Sequence, residues 1–172
     1  MFSIGEIVVY PAHGAGIIEN IEERVILGES RRYYVLRLSN GDLQILVPVD
    51  TVEKAGLRSV CGREKLAEVE RILSADSSPW DENWNRRHRL NMDKIRSGDI
   101  CEVAEVVRNL ALREMARGLS AGEKKMLEHA HRVLLSEMTL ASGLTEREAA
   151  QNINLCLQRD RTDKREAKTV ES

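Results

Sequence analysis

The sequence is poor in aromatic residues and contains no long apolar run. Its 172 residues include only one phenylalanine, two tryptophans and three tyrosines. Apolar stretches such as residues 7–10 and 133–135 are far shorter than the roughly 20 residues needed to cross a bilayer. Residues 1–6 show neither the basic segment nor the apolar segment of a secretion signal. We therefore expect a cytoplasmic protein with no membrane partner.

Cysteine is scarce and the net charge is small. The three cysteines, Cys61, Cys101 and Cys156, lie far apart and form no Cys-x-x-Cys pair, so neither a disulfide framework nor a zinc knuckle is predicted. The 26 basic and 28 acidic residues give a net charge of −2. A total near zero argues against a polyanionic partner for the chain as a whole, although acids elsewhere can hide a local basic strip.

Motifs that carry enzymatic chemistry are missing as well. The sequence contains no nucleophile elbow, no GxxxxGK[ST] phosphate loop and no HExxH zinc motif. His129 and His131 are two residues apart, so on one helix they would point in different directions and could not share a metal. We therefore predict that the protein is not an enzyme and has no catalytic residues, cofactor or metal site.

The first 60 residues have the pattern of a small β-domain. Short apolar, β-branched runs at residues 6–10, 17–27, 33–38 and 43–47 are separated by turn residues, and Asn40-Gly41 is a strong hairpin signal. These four strands and a short fifth are too few for a sandwich. A strongly bent SH3-like or Tudor-like β-barrel over residues 1–57 is expected, because closure hides the sheet edges.

After Gly62 the apolar period changes to 3.6, which predicts a bundle of about five α-helices over residues 62–159 and an α+β protein. Met115 and Leu155 are expected on the apolar faces of the third and fifth helices. The charged, aperiodic residues 160–172 are expected to form a disordered tail. The signals for the starts and ends of these five helices lie at Gly62, Asn83, Gly98, Asp99 and Gly118, and at the capping boxes Ser120/Glu123 and Thr145/Glu148.

The most unusual segment surrounds Trp80 and Trp84. From Trp84 to Arg96 five basic residues stand against one acidic residue, Asp93, a charge of +4 in a chain whose total is −2. An indole beside a guanidinium cluster can neutralise phosphates and stack on an unpaired base or wedge into an opened groove. Alternatively, Trp84 anchors the core and the arginines form a solvated surface. The candidate phosphate-binding residues are Arg86, Arg87, Arg89, Lys124 and Lys125.

Three motifs follow one another along the chain: Val8-Val-Tyr-Pro-Ala-His-Gly14, Asn83-Trp-Asn-Arg-Arg87 and Gly118-Leu-Ser-Ala-Gly-Glu-Lys-Lys-Met-Leu127. In this order and at this separation they resemble the CarD (CdnL) family of bacterial transcription regulators, and the resemblance runs from about residue 2 to residue 158. It implies a Tudor-like domain, residues 1–57, that binds the first lobe of the RNA polymerase β subunit. It also implies a helical domain, residues 62–159, that contacts promoter DNA at the upstream edge of the transcription bubble.

The resemblance also implies residue roles. In this family a tryptophan wedges into the minor groove at the upstream fork, slows bubble collapse and so stabilises the open complex; Trp84 matches it, whereas Trp80 is expected to pack. Arg24 and Ile26 match polymerase contacts, and Leu46 stands where relatives can carry an arginine that pairs with the β subunit. We expect a monomer. Because polymerase holds the protein next to its DNA, the protein needs neither a large basic surface nor sequence-specific contacts with DNA.

Two other functions remain open from the sequence. A protein-only adaptor would bind polymerase as the related module of transcription-repair coupling factors does, and would recruit another protein through its helices; a buried Trp84 would favour it. An enzyme or metal protein has no motif in its support. In either polymerase-binding case, residues 17–27 and 33–38 are expected to supply a strand edge for the partner.

Overall fold

The computed structural model describes the backbone of residues 1–39 and 41–170, and the side chains of residues 1–39 and 41–159. The α+β class and the order of a β-domain followed by helices are confirmed. The strands are β1 (Ile7–Tyr10), β2 (Gly14–Ile26), β3 (Glu29–Leu38), β4 (Gln44–Pro48) and β5 (Arg58–Ser59), with a 3-10 helix at Val49–Thr51. The helices are α1 (Arg63–Ser74), α2 (Trp84–Arg96), α3 (Ile100–Arg117), α4 (Ala121–Ser142) and α5 (Glu146–Val170).

The strands form one antiparallel sheet in the order β4-β3-β2-β1-β5. The two outer strands of this order are not joined, so the sheet is open and the closure expected of a barrel over residues 1–57 does not occur. β5 is only two residues long, and it pairs with β1 through Arg58 and Ser59. The Arg58 side chain of this short strand donates to Glu137 of α4 and to the backbone oxygen of Gly98, between α2 and α3.

A long hairpin of β2 and β3 extends beyond the rest of the sheet. Its strands pair as far as Ile26 and Glu29, with a bulge between Ile18 and Asn20. β4 covers residues 33–37 of β3, so these residues are paired on both sides and supply no edge, contrary to the expectation. The ladder with β1 ends at Ile17, which leaves residues 20–26 of β2 with no strand on their outer side within the described chain. Asn40, half of the predicted Asn-Gly turn, lies outside the described residues.

The helix starts follow the predicted capping signals. The Asp99 carboxylate accepts from the backbone N–H of Cys101 at 2.9 Å and caps α3. The Ser120 hydroxyl accepts from Glu123 N at 3.3 Å at the start of α4. Before α5, the side chains of Thr145 and Glu148 each accept from the other residue's backbone N–H. Each cap satisfies donors that the first turn of a helix leaves unpaired.

Helix α5 continues to Val170, so residues 160–170 are helical and the tail expected over 160–172 is corrected there. No glycine or proline occurs between Gly143 and the end of this helix. Arginine, glutamate, lysine and alanine, which are frequent in this stretch, all have high helix propensity. Charge without apolar periodicity therefore did not prevent a helix. Residues 171 and 172 lie outside the described residues.

The β-domain and the helices have separate hydrophobic cores, one centred on Tyr34 and Leu36 in the sheet and one on α1, α3, α4 and α5. Leu155 is exposed, because buried Ile153 and Leu157 mark the packed face of α5 and Leu155 lies about 200° from each of them. Met115, in the last turn of α3, is also exposed. Both had been expected on apolar faces. Within the described chain, no helix combines the length and apolarity that a membrane span requires.

Candidate functional site

Trp84 is the first residue of α2, at a helix start fixed by Asn83, whose side-chain oxygen accepts from Arg86 N at 3.0 Å. Trp84 is 45% exposed. One face of its indole stacks on the His88 ring, one turn later, with centroids 4.9 Å apart and planes inclined by 22°. The indole is therefore held in orientation by its own helix while much of its surface remains open to solvent.

The indole lies where α2 meets the start of α4. A Cβ added to Gly122, the second residue of α4, would lie 3.8 Å from Cζ2 of Trp84. The starts of both helices therefore meet beside the indole, and each helix start carries a partial positive charge from its unpaired N–H groups. Lys124 and Lys125, both exposed, lie in the next turn of α4. The structure thus brings the two predicted basic segments together around Trp84.

The exposed cations near Trp84 differ in how they are held. Arg86 donates to both carboxylate oxygens of Asp81, at 2.5 and 2.9 Å, and these bonds lower the pKa of Asp81 to about 2. Lys124 lies 3.6 Å from the carboxylate of Glu114. Arg89 is exposed and has no ion-pair partner within the described chain. Exposed ion pairs contribute little free energy, so their cations can exchange partners for a phosphate.

Arg87, predicted as a phosphate contact, is instead part of the packing between helices. Its side chain is 12% exposed and pairs at 2.7 Å with Glu123, which is 8% exposed. Arg87 also donates to the backbone oxygen of Asp81 at 2.6 Å. Burial would raise the pKa of Glu123, but hydrogen bonds from Arg87 and Ser120 outweigh it and hold that pKa below its usual value. Removing this guanidinium from the contact would leave a buried carboxylate unpaired.

Trp80 belongs to the same packed region. Two guanidinium groups lie over its ring, that of Arg87 at 4.3 Å and that of Arg113 at 4.5 Å from the centroid, and the ring packs against the helical core. Cations over the face of an indole form favourable cation–π contacts. The family resemblance predicts a packing role for Trp80, but its arginine partners come from α2 and α3 and carry no local sequence signal.

The residues matched to polymerase contacts lie in the sheet. Arg24 is exposed on β2, where it pairs with Glu22 at 2.7 Å, and Ile26 is exposed at the end of the same strand. Leu46 is half-buried in the edge strand β4, opposite Val35 of β3. Arg24 and Ile26 thus share the free outer segment of β2, whereas Leu46 lies on the far side of β3.

Sequence reasoning missed two contributors to this geometry. His88, which stacks on Trp84, had no assigned role, although its spacing of four residues from the tryptophan is the signal that could have found it. Glu123 was recognised only as a helix cap, and its pairing with Arg87 of another helix has no signal in the sequence. His88 orients the indole of Trp84, and Glu123 joins α4 to α2 through Arg87.

Comparison with known proteins finds similarity in both halves of the chain. Residues 2–61 match the family described as "CarD-like/TRCF RID domain". Residues 68–154 match the family described as "CarD, C-terminal domain". A protein of Bacillus subtilis (strain 168), named "Putative transcription factor YdeB", is 40% identical over 148 residues, which cover 86% of this chain and 97% of that protein.

Proposed function

Since the chain belongs to the CarD-like family of transcription factors, we propose that it binds the RNA polymerase β subunit and the upstream edge of the promoter bubble, and so stabilises the open complex. Its role as a transcription regulator follows from the family. The more specific steps rest on two separate surfaces, one on the free segment of β2 and one around Trp84. The protein acts in these steps by binding, as a monomer in the cytoplasm.

The observation that carries the DNA contact is the exposed, pre-oriented indole of Trp84. A flat ring can occupy the space between base pairs only once the duplex is unstacked, as apolar wedges in the minor groove do. It therefore binds the open complex better than the closed one, and this differential binding shifts the equilibrium. Arg86, Arg89, Lys124 and Lys125 supply phosphate contacts that do not depend on sequence. Arg87 has no part in this surface, because it is committed to Glu123.

Polymerase binding is supported by the edge of β2. Residues 20–26 have backbone groups without a strand partner on the outer side, and such an edge can accept a strand from another protein. Arg24 and Ile26 on this segment offer one cation and one apolar side chain to the partner. Leu46 brings no charge, so among the three residues matched to polymerase contacts only Arg24 is charged. The match of residues 2–61 to the RID family is in keeping with this role.

The Trp84→Ala variant tests the DNA contact. Base–aromatic contacts contribute about 1–3 kcal/mol, so losing the indole should shorten open-complex lifetime about 5- to 150-fold relative to the wild-type protein. Trp84→Phe should retain part of the gain. The measurement is the decay of competitor-resistant complexes on a promoter that melts reluctantly, together with the melting temperature of each variant.

Leu90→Ala is the matched control for this experiment. Leu90 lies on the same helix and is 46% exposed, almost the same as Trp84, but its side chain has no aromatic ring that could stack on a base. The control should preserve the lifetime gain. An unaltered lifetime with Trp84→Ala would remove the wedge from the proposal, and a large fall in its melting temperature would identify Trp84 as a core residue. The adaptor function loses its main support because Trp84 is not buried.

The Arg24→Glu variant tests polymerase binding. We expect at least tenfold weaker capture of polymerase, because the cation that faces the partner is replaced by an anion beside Glu22. Arg37→Glu is the control, since Arg37 is also an exposed arginine of the hairpin paired with a glutamate, Glu19, but it lies at the opposite end. Equal capture by wild-type and Arg24→Glu proteins would exclude Arg24 from the interface.

A further inference from the structure

An ion pair between Arg58, whose side chain is 32% exposed, and the buried Glu137 joins the β-domain to the helices. Arg58 of β5 donates to both carboxylate oxygens of Glu137 on α4, at 2.7 and 2.8 Å. Its Nε also donates to the backbone oxygen of Gly98, in the loop between α2 and α3, at 2.7 Å. Glu137, which is 2% exposed, accepts a third bond from Cys61 N at 3.0 Å. One arginine thus ties the sheet edge both to α4 and to the end of the helix that carries Trp84.

Two further hydrogen bonds connect the same two regions. Ala15 N, at the start of β2, donates to the Ser136 hydroxyl of α4 at 2.9 Å, and this bond is buried. The His129 ring, also on α4, lies 2.6 Å from the backbone oxygen of Ala12. Two turns of α4, one at His129 and one at Ser136 and Glu137, therefore bond to the turn and strand ends of the β-domain. No other helix has as many contacts with the sheet within the described chain.

Pro11 fixes the approach of the two regions. A Cβ at Gly56, before β5, or at Gly98, after α2, would lie 3.2 Å from Cγ of Pro11, and both glycines have positive φ angles, 72° and 79°. The proline ring therefore lies between two backbone segments that only glycine allows this close. The residual cavity beside Pro11 and Arg58 is about 10 Å³, at or below the space that a water molecule needs.

Stability alone does not explain this ion pair. Desolvation offsets much of the Coulomb attraction of a buried pair, and well-packed apolar residues often stabilise as much or more. What an apolar replacement would not supply is a fixed geometry, because a bidentate guanidinium–carboxylate contact forms in one orientation. Arg58 donates to Glu137 and to the Gly98 oxygen, and Glu137 also accepts from Cys61 N. The positions of these groups therefore define one arrangement of the two domains.

We propose that Arg58 and Glu137 are positioning residues that hold the β-domain and the helical domain at one fixed angle, and that open-complex stabilisation depends on this angle. The inference rests on the proposed function, since it takes the free segment of β2 as the polymerase contact and Trp84 as the DNA contact. Neither Arg58 nor Glu137 touches polymerase or DNA in this mechanism. They act through the orientation of α2.

The length of α2 shows why the angle matters. Trp84 and Arg96 are at opposite ends of this helix, so the indole lies about 18 Å from the Gly98 loop that Arg58 holds. A rotation of about 15° around that loop would move the indole about 5 Å at this radius. That displacement exceeds the rise of about 3.4 Å between base pairs. A protein bound to polymerase with this rotation would present the indole to the wrong base step.

The test uses full-length Glu137→Gln and Arg58→Gln/Glu137→Gln proteins. Glutamine keeps the size of the Glu137 side chain and shortens that of Arg58, and the double variant avoids leaving a charge without its partner. We expect polymerase affinity and affinity for free DNA to stay within twofold of wild type, while the gain in open-complex lifetime falls at least threefold. ¹⁵N relaxation should give two rotational correlation times, one for each domain, where the wild-type protein gives one.

Ile153→Val is the control for a general loss of stability, because Ile153 is fully buried in the helical core and lies outside the domain interface. It should lower the melting temperature yet preserve one correlation time and the full lifetime gain. A single correlation time in both glutamine variants, or a full lifetime gain despite separate tumbling, would overturn the positioning role. If the wild-type protein itself gives no lifetime gain, the proposed function fails, and the relaxation data alone decide whether the pair fixes the domain angle.

Discussion

Trp80 and Trp84 are four residues apart in sequence, but they differ in the groups that contact their rings and in whether they belong to a helix. Trp80 has two guanidinium groups over its ring and packs against the helical core. Trp84 is 45% exposed and stacks on a histidine of its own helix. Helix α2 begins between them, after Asn83, so the spacing that places two residues on one helix face does not apply. Spacing is informative only when both residues belong to the same helix.

The neighbouring arginines repeat this contrast. Arg86 pairs with Asp81 at the surface, whereas Arg87 pairs with Glu123 in the packed contact between α2 and α4. Adjacent helix positions differ by about 100° in direction, so one side chain points to solvent and the other to α4. A basic run is therefore not uniformly available to a ligand, and the role of each cation depends on the side of the helix that packs.

The largest expected effect comes from removing Arg87. Arg87→Ala leaves Glu123 buried and unpaired and also removes a cation from Trp80, so we expect the free energy of unfolding to fall by about 3–5 kcal/mol. Arg86→Ala removes only an exposed pair and should leave the free energy of unfolding almost unchanged. Urea unfolding of both variants gives the comparison. An equal fall in the free energy of unfolding in both variants would contradict the assignment of Arg87 to packing and of Arg86 to the surface.

Truncating the two tryptophans should also separate the regions. Trp80→Ala should lower the free energy of unfolding by about 3 kcal/mol, near the low end for a large aromatic side chain because Trp80 is only half-buried. Trp84→Ala should cost less than about 1 kcal/mol, since much of its ring is already in water. In single-tryptophan variants, acrylamide should quench the fluorescence of Trp84 more strongly than that of Trp80. Stronger quenching of Trp80 than of Trp84 would contradict the assignment of Trp80 to the packed region and of Trp84 to the surface.

Charge reversal of the exposed arginines should affect DNA binding and leave the fold intact. We expect the Arg86→Glu/Arg89→Glu protein to bind free duplex more weakly, with the slope of log affinity against log salt reduced by about 1.8, since each phosphate contact contributes about 0.9. Its melting temperature should change little. Arg87 is left unchanged, because its loss would confuse binding with unfolding. A footprint at a specific sequence with the free protein would contradict binding through phosphates.

The smallest expected effect is on stability in acid. The pKa of Glu123 in the folded protein is below its usual value of 4.5, so the contribution of its ionised form is present above that value and is lost as the pH falls through the folded pKa. The difference in melting temperature between wild type and Glu123→Gln should therefore be largest at neutral pH and shrink below pH 4.5. The exposed Asp81, with a pKa of about 2, should remain ionised through that range, which carboxyl NMR would record.

Local patterns were sufficient for much of the architecture. The change from short β-branched runs to a 3.6-residue period located the boundary between strands and helices, and the capping boxes located the starts of α4 and α5. These signals work because they depend on residues within one turn or one strand. The same reasoning fails for residues 160–170, because their charged, aperiodic pattern predicts disorder although the helix continues.

By itself the sequence determined the α+β class, the order and starts of the helices, and the segment that carries Trp84 with its basic neighbours. Only the tertiary structure decided that the sheet stays open, that Arg87 is buried with Glu123, and that Arg58 and Glu137 join the two domains. The physical reason is the distance along the chain. A capping bond spans three residues, whereas the partner of Arg87 is 36 residues away and that of Arg58 is 79 residues away. No local pattern can name such a partner, because packing selects it.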